Sequence, residues 1–294
     1  MKKRIKFVVN PKSGIGSKDS LPGLLDQYLD HDKYEYDVHY TEYRNHAKKI
    51  ASEASEQGYD VVCAVGGDGS VHEVGSALID TKTKLAILPM GSGNGLARHL
   101  KIPLQVEKAI ETINEARSII MDTGLVNDKP FLGTGGYGFD ALIAQKFDKY
   151  HTRGLWGYTK LTVKEYFAYK PFSIRVETDG YKRDIEVVLC TIANSSEFGN
   201  GFAVSPDSSV TDGIFELCIL KPFPKWKAPK LIYQFFKKTG HKSQYAEIIP
   251  FTKAKIILDE QIAHYDGEPF EVRKELNVEI KPKSLHTLVG KSYI

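Results

Sequence analysis

Apolar runs and amphipathic stretches alternate through the first 125 residues. Residues 5–9 form a short apolar run that ends in Asn10-Pro11-Lys12-Ser13-Gly14, a loop signal. Helical spacing is expected over 21–29 and over 46–57, the latter with small residues on one face, and a strand over 34–40. Residues 61–65 are wholly apolar and run straight into Gly66-Gly67-Asp68-Gly69-Ser70, after which 71–79 reads as a helix. A further short strand over 85–88 ends in Pro89-Met90-Gly91-Ser92-Gly93-Asn94-Gly95. Strands that are apolar throughout are covered on both faces. Alternating with helices, they predict a doubly wound parallel sheet.

The pattern changes near residue 125. Strand-like runs now follow one another over 173–178, 184–192, 214–220, 255–258, 261–265 and 276–280, and Asp179-Gly180 between the first two is a hairpin signal. This half is expected to be an antiparallel β domain with helical inserts near 155–169 and 227–238. No internal repeat or low-complexity tract is seen.

Composition narrows the classes. A chain of 294 residues, 41 % hydrophobic and 26 % charged, is ordinary globular material long enough for two domains without a disulfide or metal staple. A net charge of +3 gives no reason to expect nucleic acid as a partner. Cys63, Cys190 and Cys218 are too few and too scattered for a disulfide framework or a CxxC motif, which suits a reducing cytoplasm. Met1-Lys2-Lys3-Arg4 resembles the head of a signal peptide, but Lys6 and Asn10-Pro11 cut the apolar run behind it short. No stretch approaches the roughly 18 apolar residues of a membrane span. One segment stands apart: residues 221–242 hold seven lysines and no acid, together with Phe223, Trp226, Tyr233, Phe235 and Phe236. Such a stretch suits an anionic membrane surface, or a helix that packs its aromatics on the β domain and leaves its lysines in solvent.

Three places carry candidate chemistry. Gly66–Ser70 lies between a buried strand and a helix, where glycine lets backbone approach closely and a helix N-terminus presents unpaired N–H groups, a setting for a phosphate chain. Asp68 among phosphates is repulsive unless it serves Mg²⁺ or a reacting hydroxyl; otherwise it is a helix cap. The loop of Gly91, Ser92, Gly93, Asn94 and Gly95 occupies the same place after the next strand, so the two would face one crevice at the carboxyl ends of the sheet. Neither fits a Walker A or a GxGxxG pattern. The GxGxxG spacing of residues 133–138 lacks a strand–loop–helix context and reads as a hinge or tight turn. Third, Asp266-Gly267-Glu268 ends a strand with two carboxylates that a glycine turn could bring to one point, for general base work or metal binding, or simply as a solvated turn tip.

Together these motifs resemble the diacylglycerol kinase catalytic-domain family in its bacterial lipid kinase form, to which sphingosine kinases are related. Asn10 to Gly14 resembles the family's NP.SG opening, Val65 to Glu73 its GGDGT.NE signature, Leu88 to Ala97 its P.GT.ND.A loop, and Ala193 to Gly213 its N….GGG…P.A…DG segment. Asp266 to Glu268 resembles its catalytic DGE. The resemblance implies an N-terminal nucleotide domain of the NAD kinase/phosphofructokinase kind over 1–125, a β-sandwich lipid-substrate domain over 126–284, and a tail over 285–294 that returns to the first. It implies ATP contacts from Asn10, Pro11, Ser13, Gly14, Thr41, Gly66, Gly67, Asp68, Gly69, Ser70, Glu73, Gly91, Ser92, Gly93 and Asn94. It implies Glu268 as general base, with Asp266 and Asp68 completing the acidic centre, and a structural Mg²⁺ held by the Ser209 carbonyl, the Asp212 carboxylate and the Ile214 carbonyl. The expected activity is ATP- and Mg²⁺-dependent phosphorylation of a lipid alcohol, diacylglycerol-like or sphingoid-like. The expected setting is the cytoplasm, with peripheral contact at the inner membrane face. Ser70 in place of Thr keeps the hydroxyl, and His72 in place of Asn changes the contact at that position; the GSGN form of the second loop, which resembles the sphingosine kinase version, leaves the acceptor open. A small-molecule kinase of the NAD kinase type and a non-catalytic nucleotide- or lipid-binding protein are the alternatives. The sequence assigns no oligomeric state.

Overall fold

The computed structural model describes residues 1–13, 20–139, 142, 146, 165, 169–178, 180–258, 261–272 and 274–293. Gly14, the expected insert over 155–169 (apart from residues 165 and 169) and Asp179 lie outside the described residues. The chain divides into two compact units, residues 1–123 with 282–294, and residues 124–281.

In the first unit, β1 (Lys3–Val9), β2 (Tyr34–Tyr40), β3 (Val61–Gly66) and β4 (Lys84–Pro89) form a parallel sheet in the order β2-β1-β3-β4. Every residue of β3 is buried, as expected for an apolar strand covered on both faces. Helices α1 (Leu21–Tyr28), α2 (His46–Glu56) and α3 (Asp68–Leu78) connect the strands. A short α4 (Gly95–His99) follows β4, and α5 (Val106–Glu115) buries a narrow stripe of Ala109, Ile110 and Ile113. The helix expected from residue 71 starts at Asp68. Gly66 still belongs to β3, so Gly67 alone separates strand from helix. Because β2 and β3 leave β1 on opposite sides, the sheet's switch point falls between β1 and β3, the usual place for a ligand in such sheets.

β5 (Ser118–Val126) leads onward and pairs with β6 (Lys129–Phe131). The second unit also contains β7 (Thr134–Gly138), β8 (Phe172–Thr178), β9 (Tyr181–Val187), β10 (Leu189–Ala193), β11 (Glu197–Gly199), β12 (Phe202–Ala203) and β13 (Phe215–Leu220). After helix α6 (Ala228–Phe236) come β14 (Ala246–Phe251), β15 (Lys253–Ile257), β16 (Gln261–Tyr265), β17 (Glu268–Val272) and β18 (Glu275–Leu288). One antiparallel layer runs β14-β13-β10-β7-β16-β17; the other runs β18-β15-β8-β9. Tyr137, Ile192 and Leu217 of the first layer share a buried core with Ile174, Val176, Ile256 and Val278 of the second, which makes the unit a β-sandwich. The end of β18 belongs to the first unit, where Thr287 pairs in parallel with Leu85 of β4.

Two expectations are corrected here. Residues 184–192 are not one strand. They split at Val188 into β9 and β10, which lie in different layers. β10 is buried on both faces, but the side chains that enter the sandwich core shift from odd positions, Ile185 and Val187, to even ones, Cys190 and Ile192. The glycine run 133–138 is not a hinge or tight turn. Residues 134–138 are β7, a buried strand in the middle of a sheet, flanked by β10 and β16.

Candidate active site

The carboxyl edge of the first unit's sheet gathers most of the predicted phosphate-binding residues. Asn10 follows β1 and donates its N–H to Val65 O of β3 (3.1 Å), which places the two loops at the switch point side by side. Its carboxamide oxygen accepts from Lys12 N (3.0 Å), and its carbonyl accepts from Ser13 Oγ (3.0 Å). Thr41 N donates to Val9 O (2.8 Å), which brings the end of β2 to the same edge. Pro11 and Ser92 are exposed.

The glycines serve each other. Gly67 has ordinary extended backbone, so no left-handed φ demands it. Close approach favours it: a Cβ there would press on Gly91 Cα at 3.1 Å, and a Cβ on Gly91 would collide with Gly67. Asn94, left-handed at φ 55°, returns its side chain to Gly91, accepting from Gly91 N (3.1 Å) and donating to Gly91 O (2.8 Å). Gly93 O accepts from Arg98 Nε (3.1 Å). Asp68 locks the pair of loops: its two carboxylate oxygens accept from Asn94 N (2.9 Å) and Gly95 N (2.7 Å). It is therefore a cap, but for α4 rather than for its own helix. Glu73 points to another element, accepting from Asn45 N (3.0 Å) and Ala47 N (3.1 Å) at the start of α2.

These residues fit an anion of the phosphate type. The first turn of α3 directs N–H groups to this edge. Beside them the Ser70 hydroxyl is buried and has no hydrogen-bond partner among the described residues, an acceptor or donor open to a bound group.

In the second unit Asp266-Gly267 is the whole turn of a two-residue hairpin. Tyr265 of β16 pairs with Glu268 of β17, and Asp266 and Gly267 have φ of 47° and 85°, the left-handed pair of a type I′ turn. Asp266 is no solvated turn tip. Its carboxylate accepts from Leu132 N (2.8 Å), Gly133 N (2.8 Å) and Thr134 N (3.1 Å), and its own N–H donates to Thr134 O (2.7 Å). From the other side Asn194 N and Ser195 N both donate to Gly133 O (2.9 Å), and Asn194 Nδ2 donates to Leu132 O (2.6 Å). The turn, the start of β7 and the end of β10 thus form one hydrogen-bonded block, with Glu268 as the first residue of the strand that leaves it.

The candidate metal residues lie on the turn before β13. Asp212 accepts from Ile214 N (3.0 Å), the Ser209 hydroxyl meets Thr211 Oγ1 (3.2 Å), and Ile214 is exposed. Burial pushes the nearby Glu216 carboxyl up to about 7, against a hydrogen bond from Ser208 Oγ (2.7 Å) that lowers it, and the charges of Asp212 and Asp207 raise it further. Among the described residues no group of three His, Cys, Asp or Glu side chains converges as a metal site. A turn with one carboxylate ligand, carbonyls and a local surplus of negative charge is compatible with a hard cation. The sequence reading passes over Asn194 as a brace of the acidic turn, Glu73 as an α2 cap, and Glu216; Glu73 and Asn194 fall inside matched motifs, but nothing in the spacing shows which distant amides they hold.

The first unit is an α/β fold whose two glycine loops interlock at the carboxyl edge of its sheet, and the second is a β-sandwich that carries a braced acidic turn. Residues 4–126 match the diacylglycerol kinase catalytic domain, and residues 133–289 match the YegS C-terminal NAD kinase beta sandwich-like domain. A protein of Bacillus subtilis named "Diacylglycerol kinase" is 32 % identical over 225 residues, 74 % of each chain. One of Yersinia enterocolitica named "Probable lipid kinase YegS-like" is 26 % identical over 246 residues, 81 % of this chain and 82 % of that one. A crystal structure of a diacylglycerol kinase from Bacillus anthracis shares the fold with a TM-score of 0.75 at 18 % identity, covering 99 % of this chain and 98 % of that one. The chain belongs to the diacylglycerol kinase catalytic-domain family, and it is a kinase-family enzyme.

Proposed function

We propose that the protein transfers the γ-phosphoryl group of ATP to the hydroxyl of a lipid alcohol, diacylglycerol-like or sphingoid-like, in a Mg²⁺-dependent reaction. Family membership supports this reading, and one observation carries it: Asp68 fixes the second glycine loop to the first, beside the α3 N-terminus and the buried Ser70 hydroxyl. Asn10, Pro11, Ser13, Gly14, Thr41, the Gly66–Ser70 turn and the Gly91–Asn94 loop would line the triphosphate; Glu73 acts through α2. Mg²⁺, when bound, neutralises phosphate charge as the loose transition state forms. Glu268 takes the proton from the lipid hydroxyl. That oxygen then bonds to the γ-phosphorus, and the bond from the γ-phosphorus to the oxygen that leaves with ADP breaks. Asp266 is a positioning residue, since its oxygens are committed to three backbone amides. Ser209, Asp212 and Ile214 would hold a structural Mg²⁺ through two carbonyls and one carboxylate. The acceptor sits in a membrane, so the enzyme works from the cytoplasm in peripheral contact with the inner face. Among the described residues no helix is long and apolar enough to cross a bilayer.

The test is labelled ATP with a total lipid extract, with and without Mg²⁺. A labelled lipid whose chromatographic identity names the acceptor is expected. Glu268→Gln should lower the rate by about 10²–10⁴-fold at unchanged melting temperature. Undiminished transfer by that variant removes the base assignment, and label appearing only in a water-soluble acceptor removes the lipid.

A further inference from the structure

Helix α6 has two apolar stripes where a surface helix normally has one. Ala228, Leu231 and Phe235 are buried, and the Phe235 ring stacks on Phe202 of β12 at 5.0 Å. The opposite side carries Pro229, Ile232, Tyr233 and Phe236, at the i, i+3, i+4, i+7 spacing of a second stripe, and all four are exposed. Tyr233 is 61 % exposed, and Trp226, in the 3₁₀ turn (Lys225–Lys227) before the helix, is 76 % exposed. Lysines border this patch. Lys237 Nζ lies 5.7 Å from the Tyr233 ring and Lys227 Nζ 5.2 Å from the Trp226 ring, while Lys230 is exposed beside the stripe. Of the chain's 37 acidic residues none falls in 221–242, whereas seven of its 40 lysines and arginines do.

We propose that this outward face of α6 and the turn before it is the surface by which the protein docks on an anionic phospholipid bilayer. Trp and Tyr suit the headgroup boundary, Ile and Phe the first acyl carbons, and lysines the negative surface potential. The charge argues against a second copy of the chain. A two-fold contact would set the same lysines against one another with no acid of the segment to pair them. The patch is also continuous with the acidic turn. Phe236 meets Phe202 edge-on at 5.4 Å, Phe202 stacks on Phe198 at 6.3 Å, and Phe198 lies 6.2 Å from the His264 ring, two residues before Asp266. A lipid entering from the patch would meet aromatic rings all the way to that strand.

The experiment is vesicle co-sedimentation of the full chain without nucleotide, so that its failure is separate from failure of the kinase reading. Binding to mixed phosphatidylglycerol–phosphatidylcholine vesicles and little to pure phosphatidylcholine is expected. The wild-type tryptophan emission should shift to the blue on binding, and Trp226→Phe should lose that shift. Lys230→Ala with Lys237→Ala should weaken binding by about fivefold per lysine, and Tyr233→Ser with Phe236→Ser should abolish it. Thermal melts check that these exposed changes leave the fold intact. Equal binding to both vesicle types, or wild-type binding by the variants, overturns the proposal. So does a concentration-dependent dimer that the same substitutions convert to monomer, which would assign the face to a second copy.

Discussion

Asp68 lies just beyond a strand of a parallel sheet and Asp266 just beyond a strand of an antiparallel one, and both turn a carboxylate onto backbone amides of another segment. Asp68 reaches forward 26 and 27 residues to cap α4, and each oxygen takes one amide. Asp266 reaches back more than 130 residues and takes three amides with two oxygens, while Asn194 braces the same loop from the far side. The first is a clamp between neighbouring βα turns and depends on two glycines touching. The second joins three strands of a sandwich layer and depends on a left-handed Asp-Gly turn. The contrast separates two uses of a carboxylate: one clamps two glycine loops together, the other ties a hairpin turn to the start of β7.

That contrast can be broken by mutation. Asp266→Ala strips three part-buried amides of their acceptor and should cost about 3 kcal/mol or more, at about 1–3 kcal/mol per orphaned donor. The measure is denaturant unfolding, and a loss below about 1 kcal/mol would show that water replaces the carboxylate. Gly91→Ala should separate the two glycine loops at about 1–3 kcal/mol, as overpacking does. Nucleotide affinity by calorimetry should fall further than the melting temperature, and equal affinity would mean that the loops part without consequence. Asp68→Asn keeps one acceptor and should cost about 1 kcal/mol. Its sharper sign is faster amide hydrogen exchange at Asn94 and Gly95, with exchange at Leu132 to Thr134 unchanged. The smallest effect belongs to Glu73→Gln, about 0.3–1 kcal/mol, because it weakens charge-assisted capping of α2 at an exposed helix end. A larger drop in nucleotide affinity than in stability would return Glu73 to the nucleotide site itself.

Much of the fold could be read along the chain because its signals are local. The strand over 34–40 and the helix over 46–57 each repeat with one period, the strand before Gly67 is apolar throughout, and the structure keeps all three nearly residue for residue. The misreadings have a common physical cause. Val187-Val188 continues an apolar run while the positions that enter the sandwich core change from odd to even, and only the assignment of β9 and β10 to different layers gives that change meaning. Gly133, Gly135, Gly136 and Gly138 look like a turn, but small side chains also suit a central strand with close neighbours. A Cβ at Gly135 would lie 3.3 Å from His264 O, and one at Gly133 would lie 3.0 Å from Ser195 Oγ. Asp266-Gly267 carries the same hairpin dipeptide as Asp179-Gly180, but the amides that hold the Asp266 carboxylate lie more than 130 residues away, beyond any local turn signal.

Local signals along the chain suffice for the order of elements, the change from alternating α/β to strand after strand, and the two glycine loops and the acidic turn. These follow from periods of 2 and 3.6 and from the backbone freedom of glycine, all short-range properties. Tertiary structure alone decided that Gly67 needs Gly91, that both oxygens of Asp68 serve α4, and that Asp266 holds β7 while Glu268 begins the next strand. It alone decided which of α6's two apolar stripes is buried. Those outcomes depend on hydrogen bonds and steric contacts between residues far apart in the chain, where a backbone amide or a Cβ leaves no mark in the sequence.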